Sequence, residues 1–156
     1  MSKPLVIIDG SGPAPKFVPA ELSRLGLSGR LGATSTLAAG DLATQVASLI
    51  AENKLPIVLA PACDMAIAAT KAVAGLGRAG LAYIDGHSDF RHDANLLPLR
   101  KDARSDLACA VGRSVDGTTL SPHFRDADTA TIGFKRDDEA FLELRKTEIL
   151  LWPMYW

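Results

Sequence analysis

Leu81-Ala82-Tyr83-Ile84-Asp85-Gly86-His87-Ser88-Asp89-Phe90 is the most informative decapeptide of this 156-residue chain. Four residues rich in apolar side chains run straight into an aspartate. That pattern predicts a buried strand over Leu81 to Ile84 that ends in a polar turn. The segment after it, Asp85 to Ser105, is polar and broken by Pro98, as expected of a long functional loop.

The neighbouring segments extend the same grammar. Ile57 to Leu59 read as a second buried strand, entered after Pro56 and left through Ala60-Pro61-Ala62. Asp64 is placed to cap a helix over Met65 to Ala74, which Gly75 and Gly77 end. Residues 57 to 85 therefore read as strand, helix, strand. Such units are nearly always right-handed crossovers in a parallel sheet, so the two strands are expected to pair directly. Upstream, Leu5 to Ile8 predict a strand buried on both faces, and Leu31 to Leu37 a short strand. Ala20 to Leu25 suit one or two helical turns. Asp41 to Asn53 predict a helix, with Asp41 as cap and Leu42, Val46, Leu49 and Ile50 at helical spacing. Downstream, Asp106 to Gly112 suggest a short helix, Thr129 to Phe134 a strand, Asp137 to Lys146 a helix and Glu148 to Leu151 a last strand. This alternation predicts a single α/β domain over residues 1–156, three-layered with a mainly parallel sheet.

The bulk numbers agree with a globular protein. The chain is 47% hydrophobic and 22% charged, with a formal net charge of -1. A near-neutral balance gives no basic surface for nucleic acid, so that partner is not expected. No apolar run is long enough to span a membrane or form a signal-peptide core. Two cysteines, Cys63 and Cys109, cannot build a disulfide framework, which suggests a reduced, cytoplasmic setting.

In an extended segment alternate side chains share one side. Asp85, His87 and Asp89 would then converge just past the end of a strand, where α/β proteins place ligands. Two carboxylates and an imidazole suit a hard or borderline divalent cation such as manganese, magnesium, iron or zinc. A carboxylate can also bridge two ions about 3.5–4 Å apart, a pair able to create hydroxide at neutral pH. The competing reading is structural: polar residues after a strand often cap a helix or bond the backbone of a tight loop.

The segment LAYIDGHSDF resembles the second metal motif of the arginase, agmatinase and formiminoglutamase (ureohydrolase) superfamily, whose core is Asp-Ala/Gly-His-x-Asp. Three other segments are similar to that family's flanking pieces: LPIVLAPACDMAIAAT (55–70), DLACAVGR (106–113) and TATIGFKRDDEAFLELRKTEI (129–149). The resemblance spans most of the chain from Ala43 to Trp156. It implies an arginase-like α/β fold and a manganese centre, with Asp85 as a carboxylate bridging two ions, His87 on one ion and Asp89 on the other. Asp85 and His87 are the expected catalytic residues. The implied reaction is attack of metal-bound hydroxide on a guanidino or formimino carbon of a small molecule, in a protein that commonly forms homo-oligomers.

The sequence departs from that family in three places. Its Gly-Gly-Asp-His turn is replaced by Ala60-Pro61-Ala62-Cys63, where Cys63 reads as a small buried residue in a turn in preference to a soft metal ligand, which suits manganese poorly. The late Ser-x-Asp-x-Asp motif, which carries two more ligands in the family, has no counterpart before Trp156, so the chain reads as a truncated member. No substrate-gripping histidine loop follows Asp89. His92 lies near the metal loop and His123 apart from it. The apolar ending, Ile149 to Trp156, suits either a core strand lacking its successors or an interface.

Three functions stay open from the sequence. The first is a metal-dependent hydrolase cleaving a C–N bond of a linear amidine. The second is a truncated or degenerate, non-catalytic relative acting as a binding or oligomerisation module. The third is a phosphate-binding protein using Asp9-Gly10-Ser11-Gly12, which requires a helix directly after Gly12.

Overall fold

Val6, Ile7 and Ile8 are buried in the first strand, β1 (Leu5–Asp9), the centre of a parallel three-stranded sheet. The computed structural model describes residues 3–9, 21, 24–37, 40–60, 64–77, 79–95, 104–118 and 121–154. Expectations for 10–20, including the glycine turn after Asp9, for Pro61-Ala62-Cys63 and for Pro98 lie outside them. The chain divides into two compact units, Met1–Gly75 and Leu76–Trp156.

In the first unit, β1 pairs with β2 (Thr34–Leu37) and with β3 (Leu55–Leu59), giving the order β2-β1-β3. The register sets Val6 opposite Thr34 and Ile7 opposite Ile57. Helices among the described residues of this unit include α1 (Leu27–Arg30), α2 (Leu42–Ala51) and α3 (Asp64–Ala74). Asp41 caps α2 as expected, its Oδ2 accepting from the Thr44 amide at 3.0 Å and the Thr44 hydroxyl at 2.6 Å. Ile8, Leu42, Val46 and Ala72 form the core, joined by Val58, Met65 and Ala68.

In the second unit, β4 (Leu81–Ile84), β5 (Thr129–Ile132) and β6 (Leu150–Trp152) form a parallel sheet in the order β4-β5-β6. Between them come α4 (Asp106–Ala110), a 3₁₀ turn over Asp126–Asp128, and α5 (Phe141–Leu144). One face of this sheet, carrying Leu81, Tyr83 and Leu151, packs on Phe90, Leu107, Ala108, Val111, Phe134, Ala140, Leu144 and Ile149. The fold class is thus the α/β, parallel-strand class expected from the sequence. No helix of the described residues is long and apolar enough to cross a membrane.

Three expectations are corrected. First, the strands on either side of α3 do not pair with each other: β3 hydrogen-bonds to β1 and β4 to β5. Successive strands often share a sheet, but here each finds its partner within its own unit. Second, β4 is not buried on both faces. Ala82 and Ile84 are exposed, Ile84 at 74%, while Leu81 and Tyr83 are half-buried. Third, the helix expected over Asp137 to Lys146 contracts to Phe141–Leu144, with the Asp138 carboxylate ahead of it accepting the Ser88 and Ala140 amides.

Candidate metal centre

Asp85 is the residue at which β4 leaves the sheet. Its amide still donates to the Ile132 carbonyl, at 3.1 Å, so the end of β5 fixes its backbone. Gly133 follows Ile132 with φ +91°, and a Cβ there would stand 3.2 Å from the Asp85 carbonyl oxygen. That close approach with positive φ accounts for glycine at this position.

Beyond the strand, the Asp85 carboxylate folds back on its own loop. Oδ1 accepts the His87 amide at 2.9 Å, the local turn that aspartates readily form. The His87 ring nitrogen Nδ1 lies 3.8 Å from the same oxygen, and the His87 side chain is 75% exposed. Asp85 and His87 are therefore brought together at the open end of the strand.

Ser88 turns the other way and is buried. Its amide donates to Oδ2 of Asp138 at 3.0 Å and its hydroxyl donates to Oδ1. Asp138 Oδ1 also accepts the Ala140 amide, at 3.0 Å. Sequence reasoning missed Asp138. Its signal was an aspartate two residues before a small residue at a helix start, a capping pattern, and nothing local pointed to Ser88, fifty positions away.

Asp89 does not follow the alternation assumed for an extended chain. Its φ is +46°, in the left-handed region that aspartate tolerates better than most side chains. This kink buries the residue. Its carboxylate accepts the Tyr83 hydroxyl at 2.5 Å, and its backbone carbonyl accepts the Leu107 and Ala108 amides of α4 at 3.1 and 3.2 Å. Burial pushes the Asp89 carboxyl above the usual carboxylate range; the Tyr83 hydrogen bond opposes that rise and the Asp85 charge adds to it. Burial, and then the Asp89 carboxylate, push the Tyr83 phenol up.

His92 is a structural histidine. Its Nδ1 accepts the Ala94 amide at 3.3 Å and its ring meets Phe90 edge-on, with centroids 5.0 Å apart. Burial, aided by the Arg113 charge, holds it below the usual imidazole range. Asn95 ties this loop down, accepting the His92 amide at 2.8 Å and donating to the Phe90 carbonyl at 2.8 Å.

The donor types, two carboxylates and one imidazole, suit a divalent cation. In the folded chain Asp85 and His87 adjoin, whereas one oxygen of Asp89, Oδ2, accepts the Tyr83 hydroxyl. Among the described residues, no three His, Cys, Asp or Glu side chains come together in a group able to hold a metal ion.

No protein-family model and no curated protein sequence matches the chain. Its structure matches several solved arginases. The arginase from Bacillus caldovelox superposes with a TM-score of 0.73 at 21% identity, over 97% of this chain and 65% of that one. The arginase from Bacillus subtilis subsp. subtilis str. 168 gives 0.73 at 18% identity, over 98% and 64%. The arginase from Bacillus cereus gives 0.74 at 17% identity, over 97% and 64%. The chain has an arginase-like fold and spans just under two thirds of the length of these enzymes.

Proposed function

We propose that this chain is a relative of the ureohydrolases, a single, partial arginase-like α/β domain whose Asp85–Asp89 loop is the metal-binding element. In this reading Asp85 and His87 are the donors available in the folded chain and the residues that carry catalysis. Asp89, whose Oδ2 accepts the Tyr83 hydroxyl, is the proposed third donor. Manganese is the proposed ion. The proposed activity is hydrolysis of a C–N bond in a small guanidino or formimino compound. The setting is a cytoplasmic homo-oligomer, with neither nucleic acid nor membrane as partner.

The observation that supports this reading is the location of Asp-x-His-x-Asp. In an arginase-like fold, the motif leaves the end of a parallel strand, with Asp85 and His87 side by side. A second reading, a non-catalytic relative serving as a binding or oligomerisation module, is favoured by one specific feature. One oxygen of Asp89 already accepts the Tyr83 hydroxyl, and among the described residues no three His, Cys, Asp or Glu side chains group to hold a metal ion.

Calorimetric titration with manganese, on the wild type and on Asp85→Ala and His87→Ala, separates the two. The metalloenzyme reading expects saturable binding that both substitutions weaken by at least about tenfold. It then expects hydrolysis of arginine, agmatine or formiminoglutamate by the manganese-loaded protein. Absence of binding at millimolar manganese would leave the module as the surviving reading.

A further inference from the structure

Val115 and Thr118 face each other across a two-residue turn. Each donates its amide to the other's carbonyl, at 3.0 and 2.9 Å. Between them Asp116 and Gly117 have φ of +49° and +76°. Positive φ at both central positions marks the tight hairpin turn that Asp-Gly favours. The turn is exposed, the Asp116 side chain at 74%. Asp-Gly is also the dipeptide at which a chain most readily reacts with itself. The glycine nitrogen, shielded by no side chain, attacks the Cγ of the preceding aspartate. A C–N bond forms, and the carboxyl hydroxyl leaves as water with the amide proton. The product is a five-membered succinimide. Water then reopens the ring at either carbonyl. One opening restores aspartate; the other routes the backbone through Cβ and gives isoaspartate, of unchanged mass.

The Gly117 nitrogen is restrained from that attack. Its N–H donates to Oδ2 of Asp93 at 2.9 Å. Asp93 is itself fixed: the same oxygen accepts the Ser114 hydroxyl at 2.7 Å, and the Asp93 amide donates to the Ser114 carbonyl at 2.9 Å. The Ser114 hydroxyl, and then the Gly117 amide, hold the Asp93 carboxyl below the usual carboxylate range. Such a group is a charged acceptor and far too weak a base to take an amide proton. Its negative charge beside the nitrogen disfavours the amide anion that attacks, and the charge-assisted bond resists any turning of the N–H. Arg91 touches the Asp116 carboxylate, Nη2 to Oδ1 at 3.3 Å, but an exposed pair of this kind holds little.

We propose that Asp116–Gly117 is a modification site, at which isoaspartate forms without an enzyme, and that Asp93 guards it by holding the Gly117 amide. The test is isoaspartate accumulation at neutral pH and physiological temperature, read by peptide mapping that separates the two isomers. The samples are the folded wild type, the wild type in urea, Asp93→Ala and Arg91→Ala. Melting curves establish which variants are folded. Asp85–Gly86, in the same unit, is the internal reference. The folded wild type is expected to isomerise at Asp116 about tenfold or more slowly than the denatured chain, the scale of one charge-assisted hydrogen bond. Asp93→Ala should regain most of that rate at Asp116 and leave Asp85 unchanged. Arg91→Ala should change it by less than about twofold.

An Asp93→Ala rate equal to or below that of the wild type overturns the guard; a lower one would make Asp93 a general base. Equal acceleration at Asp85 and Asp116 also overturns it, because loosening of the whole unit would then be the cause. A larger effect of Arg91→Ala than of Asp93→Ala moves the guard to Arg91 and overturns the proposal. No isoaspartate at Asp116 in the denatured chain overturns the site itself. If Asp93→Ala does not fold, hydrogen exchange of the Gly117 amide in the wild type decides. Slowing by about tenfold or more supports the guard, and exchange at the rate of an unstructured chain overturns it.

Discussion

Asp138 accepts three hydrogen bonds, from the Ser88 amide, the Ser88 hydroxyl and the Ala140 amide, and so ties the loop after β4 to the start of α5. Ser88 is 2% exposed, so water cannot replace a lost partner. Asp138→Ala would leave two buried donors of Ser88 unsatisfied. It is expected to cost about 2–4 kcal/mol, counting roughly 1–3 for each stranded group with partial relaxation. Asp138→Asn keeps one acceptor oxygen and should lose less. Urea denaturation of both variants measures this, and a loss under about 0.5 kcal/mol for alanine would show that the pair is ornamental. The residues that a metal reading singles out, Asp85, His87 and Asp89, were legible in the sequence as donor types. Asp138 and Tyr83, the partners of Ser88 and Asp89, were not: the first lies fifty residues from Ser88 and leaves no local pattern, and the second, six residues away, meets Asp89 where the chain leaves the extended conformation.

At the scale of elements, the capped helix α2 followed its sequence signals closely. Asp41 caps, Leu42 and Val46 are buried, and the helix ends at Ala51 before Pro56. Asp41→Ala is expected to lower the melting temperature by roughly a few degrees, the usual cost of an N-cap in a small unit. The effect should depend on pH in a defined sense. Hydrogen bonds from Thr44 hold the Asp41 carboxyl below its ordinary value of 3.8. The folded state therefore favours the charged form. Its contribution is complete above that ordinary value and is lost as pH falls through the lowered folded value. Melting curves of wild type and Asp41→Ala should converge below pH 3.8 and stay apart at neutral pH. A gap that widens in acid would contradict the cap's charge. By contrast, a helical pattern over ten residues yields only the four of α5, and Asp138, within that pattern, serves as a tertiary acceptor.

At the scale of the whole molecule, the second unit is a sheet with one packed and one open face. Phe134 is fully buried in its core, while Trp152 and Ile84 are 64% and 74% exposed on β6 and β4. Phe134→Ala should therefore cost about 3–5 kcal/mol, and Trp152→Ala no more than about 0.5. Chemical denaturation of the two side by side tests the assignment of faces; comparable losses would mean that Trp152 is covered. An open apolar patch of this kind commonly marks a contact surface.

The sequence by itself determined the class of the fold. Apolar runs ending at Asp9 and Asp85, a capped amphipathic helix and regular strand–helix alternation come from local propensity and periodicity, which each segment carries alone. It also determined which donor types stand at the strand end. Tertiary structure decided the rest. Whether β3 pairs with β4 or β1 depends on competing edges, not on either strand's own residues. Whether Asp89 joins Asp85 and His87 depends on a backbone kink stabilised by α4 and a phenol on β4. Alternation along a chain fixes a side chain's direction only while the chain stays extended. Where it bends, the direction is set by whichever distant partner satisfies the buried polar group.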